Sequence, residues 1–170
     1  MKPTAAVSPD TRPAPISYDT PAGPVSYDTV CESPVVQEWL LDLPPTGSAT
    51  SLARVHTRAC LTVLDWSGSI HAATGIVDRA VRNAVAHGNP GTGQATGIQL
   101  RLAVTEKRQL LIDVSDSNPS FPGFGETALG HQGRGLWEIH HQDGTLPWFL
   151  PQNADSKTVR VMLAPGPVTP

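Results

Sequence analysis

The sequence predicts an α/β fold: an α+β two-layer sandwich with helices covering one face of a mixed β-sheet. Three observations predict it. The hydrophobic period is helical over two successive stretches, residues 48–66 and 69–87; it drops to two over 98–104 and 110–114; and short apolar runs that suit strands stand on either side of this block. A chain of 170 residues with 39% apolar content holds one ordinary core, since a domain takes about 100 to 200 residues. One domain is therefore expected over 34–164, with an arm over 1–33 and a tail over 165–170.

Each element has its own signal. Residues 1–33 are rich in Pro, Ser, Thr and Asp and contain the near-repeat "ISYDT" and "VSYDT"; such a segment buries too little apolar surface to offset its ordering entropy, so a disordered arm is expected. "VVQEWLLDL", between Pro34 and Pro44, suits a strand. A helix with a side-chain cap can start at Ser48 or Thr50, and Leu52, Val55, Ala59 and Val63 recur at helical spacing until Trp66, with Gly68 as the breaker. A second helix begins near Ser69; Ile70, Ala73, Val77, Ala80 and Ala84 form its buried stripe, and Gly88 to Pro90 supply the stop. Ile98, Leu100, Leu102 and Val104, the turn "TEKR", then Leu110, Ile112 and Val114 spell a β-hairpin with one buried face. A long glycine-bearing loop follows, longer than a compact domain normally tolerates without a function. "LWEIHHQ" can form a short helix, and "LPWFL" and "KTVRVML" two more strands.

Composition excludes several functions. The net charge of −3 arises from 12 basic and 15 acidic residues mixed along the chain, with no basic stripe to pair with a phosphate backbone, so nucleic acid is not expected. Cys31 and Cys60 form neither a disulfide framework nor a zinc spacing, which suits a reducing cytosol. There is no apolar leader at the N-terminus and no run of roughly 18 apolar residues, so a cytoplasmic protein without a membrane span is expected. "EIHH", with Glu138 and His141, lacks a metal-ligand pattern, and no GxSxG elbow supports Ser/His/Asp catalysis.

Four features could carry chemistry. Strand parity puts Asp116 on the face of Ile112 and Val114. A carboxylate there wants a donor, which an amino group on a purine ring would supply without a counter-charge; the plainer alternative is that "DSNP" is an Asx turn closing the strand. "GHQGRGL" (Gly130, Gly133, Arg134, Gly135, Leu136) ends the loop and opens a helix, where unpaired N–H groups could receive phosphates. Arg79, Asn83 and His87 stand four residues apart and so form a polar stripe that drifts only about 40° per step around the second helix. The Asn83 amide oxygen could be a neutral ligand to Mg²⁺, or the side chain could face solvent. Lys157 and Thr158 could add a charge and a hydroxyl to a phosphate or purine site, or be edge residues.

Taken in order, "RNAVAHG" on a helix, "IDVSDSNPSFP" on a strand, "GHQGRGLWEI" in the glycine loop and "SKTVRV" on the last strand, the core over residues 35–164 resembles the GHKL (histidine-kinase-like) ATPase superfamily. More narrowly it resembles the bacterial anti-sigma regulatory factors related to Ser/Thr protein kinases. "LARVHTRACLTVLDW" is similar to that family's first helix. The resemblance implies a Bergerat-type fold and an ATP site: Asn83 holding Mg²⁺, Asp116 bonding the adenine amino group, Gly133 and Gly135 bordering the phosphates with Gly130, Arg134 and Leu136, Thr158 near adenine, and His87 beside them. It implies protein partners: a sigma factor, a small anti-anti-sigma antagonist, and often a second copy of the chain. It also raises a conflict. The family's general base is a Glu four residues before the Asn, and here that position is Arg79, which cannot accept a proton at neutral pH. Asp78 is about 140° around the helix from Asn83 and is a poor substitute. The expectation is an ATP-binding regulator of doubtful kinase activity; the alternative is an interaction module that kept the fold and lost the nucleotide.

Overall fold

The computed structural model describes residues 33–88, 97–119, 148–153 and 156–166. The chain order is β1 (Val35–Leu43), α1 (Ser48–Val63), α2 (Ile70–His87), β2 (Ile98–Thr105), β3 (Leu110–Asp116), β4 (Trp148–Asn153) and β5 (Ser156–Leu163). The strands form one sheet in the order β1-β2-β3-β5-β4. Every pairing among the described residues is antiparallel, so the expected mixed sheet is corrected to an antiparallel one. The arm other than Ser33, the short helix expected at "LWEIHHQ" and the tail beyond Gly166 lie outside the described residues.

Alternation decides the layers. Leu100, Leu102 and Val104 of β2, Ile112 and Val114 of β3 and Val159, Val161 and Leu163 of β5 share a core with Ala73, Ile76, Val77 and Val81 of α2, as period-two strands under an amphipathic helix should. The opposite sheet face is buried as well at Ala103, Leu111, Asp113, Thr158 and Arg160. There Asp113 accepts from Arg160 Nε and Nη2, both at 2.7 Å, and from Arg101 Nη1 at 3.0 Å. These three are direct cross-strand neighbours, and Arg101 also reaches Glu38 of β1 at 2.8 Å.

Helix α2 begins as expected, with Ser69 Oγ accepting from Ala72 N at 3.2 Å. Helix α1 differs from expectation twice. Its N-cap is Gly47 and has no side-chain hydrogen bond; the hydroxyls of Thr46 and Ser48 bond each other instead, at 2.8 Å. It also ends at Val63, before Trp66. Leu52, Val55, Ala59 and Val63 all point outward, while Ala49, Ala53, Thr57, Cys60 and Leu61 are buried. Small residues on the inner face let α1 lie close on α2, so the bulkier stripe turns away. Burial also pushes the Cys60 thiol up from its ordinary range.

The β2–β3 turn fastens the start of the domain. Ser33 is buried and its Oγ accepts from Lys107 N at 3.2 Å, while Glu106 N donates to Pro34 O at 2.9 Å. Trp66, also buried, donates from Nε1 to Arg108 O at 3.0 Å, tying the link between the helices to the same turn. No helix among the described residues is long and apolar enough to cross a membrane.

Candidate functional site

The C-terminal ends of α2 and β3 meet at Gly88. Its N–H donates to Ala84 O at 2.7 Å, closing the helix. Its φ is −80°, so the position does not use glycine's left-handed freedom, and the reason for glycine is room. A Cβ there would lie 2.4 Å from Ala84 O and 2.7 and 2.8 Å from Cβ and Cγ of Asp116. The residues after β3 then clasp the helix end: Asn118 Nδ2 donates to His87 O at 2.8 Å and Ser117 Oγ to Gly88 O at 3.1 Å. Carbonyls that a helix terminus leaves without partners are satisfied in this way.

Asp116 sits inside the clasp and is buried. Its Oδ1 accepts from Asn118 N at 3.0 Å, so the Asx turn allowed by "DSNP" does form. The same oxygen accepts from Lys157 Nζ at 2.6 Å, and Nζ also donates to Asn118 O at 2.9 Å. Sequence parity asked for a donor and offered a purine amino group; the chain itself supplies an ammonium, a partner the sequence alone did not identify. A buried ion pair of this kind costs desolvation that its own attraction and hydrogen bonds must offset. Among the described residues no hydrogen bond reaches Oδ2.

The ladder register sorts the two candidates on β5. Lys157 pairs with Asp116 and Thr158 with Ser115. Thr158 therefore lies on the opposite sheet face, where its Oγ1 is 2.7 Å from Ser115 Oγ. The structure does not bring Thr158 to Asp116, and neither residue is at an edge, because β5 runs between β3 and β4. Asn83 and His87 lie on α2, the helix whose end holds Asp116. Asn83 is half-buried, its side chain makes no hydrogen bond with a described residue, and it precedes Gly88 by five residues, about 7.5 Å along the axis; His87 is exposed. No group of three or more His, Cys, Asp or Glu side chains among the described residues could hold a metal ion. Gly130, Gly133, Arg134, Gly135 and Leu136 lie outside the described residues.

Arg79 turns along its own helix. Its Nη1 donates to Gly75 O one turn earlier at 3.2 Å, and the side chain lines a cleft with Arg54 and Arg58 of α1. The adjacent Asp78 accepts from Arg82 Nη2 at 2.6 Å and lies 3.9 Å from Arg54 Nε.

With this geometry in hand, two solved structures are informative. One contains the RsbU and RsbW domains of Rv1364c from Mycobacterium tuberculosis: 16% identity, TM-score 0.54, with 76% of this chain and 32% of that one covered. The other is the SiaB–SiaC complex from Pseudomonas aeruginosa: 11% identity, TM-score 0.56, with 80% of this chain and 94% of the matched chain covered. The chain shares the fold of these two structures. This chain spans about a third of the Mycobacterium tuberculosis chain. No protein-family model matches the sequence, and no curated protein does.

Proposed function

We propose that this chain is a regulatory protein of the anti-sigma type, in which a GHKL-type domain binds ATP and controls transcription by engaging and releasing protein partners, without transferring phosphate to them. The observation that carries it is the clasp of α2 and β3 around Asp116, which leaves Oδ2 as an acceptor where an adenine amino group would be received. Asn83, half-buried on the same helix, offers a neutral amide oxygen of the type Mg²⁺ accepts. ATP would supply the charge that this ion compensates; the chain's part is to hold the base and orient the helix end.

Loss of transfer rests on Arg79 and Asp78. The first donates to its own helix and the second is held by Arg82, so no carboxylate on α2 among the described residues faces the Asn83 stripe as a base would. The structural likeness to domains that work with protein partners supports regulation through a sigma factor, an antagonist or a second copy.

Lys157 favours a second reading. An ammonium already on Asp116 Oδ1 at 2.6 Å does part of what a purine amino group would do, as expected of an interaction module that has lost its nucleotide. Calorimetric titration of ATP, with and without Mg²⁺, into the wild-type chain separates the two. Saturable binding supports the ATP-dependent regulator, and its absence in both conditions supports the nucleotide-free module. Transfer of label from ATP to an antagonist protein would refute the claim that catalysis is gone.

A further inference from the structure

A concave site lies between α1 and α2, and Asp116 is not part of its lining. It is a cleft of about 360 Å³ lined by Arg54 and Arg58 from α1 and by Gly75, Asp78, Arg79 and Arg82 from α2, among others. Four guanidinium groups meet one carboxylate there. Arg54 and Arg82 remain 53% and 70% exposed even while paired with Asp78, so both can turn to a ligand. The chain as a whole carries a net charge of −3, so this concentration of positive charge is local to the helix pair.

The cleft also asks for a donor. Asp78 Oδ1 is buried and has no hydrogen-bond partner among the described residues; its nearest cation, Arg54 Nε, is 3.9 Å away, beyond hydrogen-bond reach. A buried acceptor left without a donor is destabilising. A complementary ligand therefore carries a negative group for the arginines and an N–H for Asp78. Inorganic phosphate meets the first need well and the second poorly. An acidic residue in a polypeptide meets both, because its carboxylate can take a guanidinium fork while a neighbouring backbone N–H turns to Asp78. The volume is also that of several residues' side chains rather than of one small ion, since a water molecule occupies about 30 Å³.

We infer that the cleft between α1 and α2 is a docking site for an acidic segment of a partner protein. The inference does not depend on nucleotide binding at Asp116. The probe is a blocked pentaglutamate peptide at low ionic strength, followed by amide and arginine Nε–H chemical shifts, with pentaglutamine and inorganic phosphate as comparisons. Shifts from the glutamate peptide are expected at residues of the cleft, to weaken as salt is raised, and to be absent with pentaglutamine. The double substitution Arg54→Gln, Arg58→Gln, at exposed helix positions, is expected to weaken binding at least about tenfold while helical circular dichroism is kept; Arg54→Gln alone gives the same readout at about threefold. The inference is overturned if the glutamate peptide shifts nothing in the cleft, if phosphate binds as tightly as the peptide, or if the folded arginine variants bind like wild type.

Discussion

Asp113 and Asp116 stand on one strand and face opposite sides of the sheet, and each is paired with a cation from β5. Asp113 is saturated: Arg160 takes both oxygens at 2.7 Å, and Arg101 reaches the second at 3.0 Å. Among the described residues Asp116 uses only Oδ1, for Lys157 and for the N–H of Asn118, at the junction of a helix end and a strand end. Two carboxylates of equal burial class thus have different capacities. One closes a cross-strand charge row; the other sits where a helix and a strand end, with one oxygen unused by the described residues.

The largest expected effect comes from Asp113→Asn. Removing the negative charge leaves two guanidinium groups facing a neutral amide in a buried row, which should cost about 3–5 kcal/mol in urea unfolding, with ligand binding unchanged. Asp116→Asn should cost less, about 2–3 kcal/mol, because Lys157 keeps Asn118 O and the amide oxygen can still accept; its signature is nucleotide affinity lowered at least about tenfold. Equal losses of stability and no change in affinity would erase the distinction. Gly88→Ala tests the junction, since the new methyl would overlap Ala84 O and Asp116: about 1–3 kcal/mol of stability together with weaker nucleotide binding. Arg79→Ala should be the mildest, about 0.5–1.5 kcal/mol in the same unfolding assay, with the bond to Gly75 O among what it removes.

Much of the architecture could be read before the structure. Period-two alternation located β2 and β3, the run "KTVRVML" marked β5, and Ser69 announced α2 because an N-cap hydroxyl is a local signal. The inner face of α1 was not legible: its larger apolar residues make a regular stripe, and nothing local says that the helix packs through Ala49, Ala53 and Cys60 instead. At the site, Asp116 could be placed on its strand face by parity alone. Its partner could not, because whether Lys157 or Thr158 faces it depends on the register between β3 and β5, and a shift of one residue exchanges them. The arginine–aspartate row was hidden for the same reason, since Arg101, Asp113 and Arg160 are distant in sequence and meet only through register. Gly88 was legible as a helix stop, yet its contact with Asp116 is a tertiary fact.

The central proposal is that Asp116 would receive a ligand while Asp113 serves the structure. Thermal unfolding of wild type, Asp113→Asn and Asp116→Asn, each with and without saturating Mg·ATP, tests it most directly. The account predicts that Mg·ATP raises the Tm of wild type and of the less stable Asp113→Asn by similar amounts and that of Asp116→Asn by clearly less. No nucleotide shift in wild type, or an equal shift in Asp116→Asn, would contradict it.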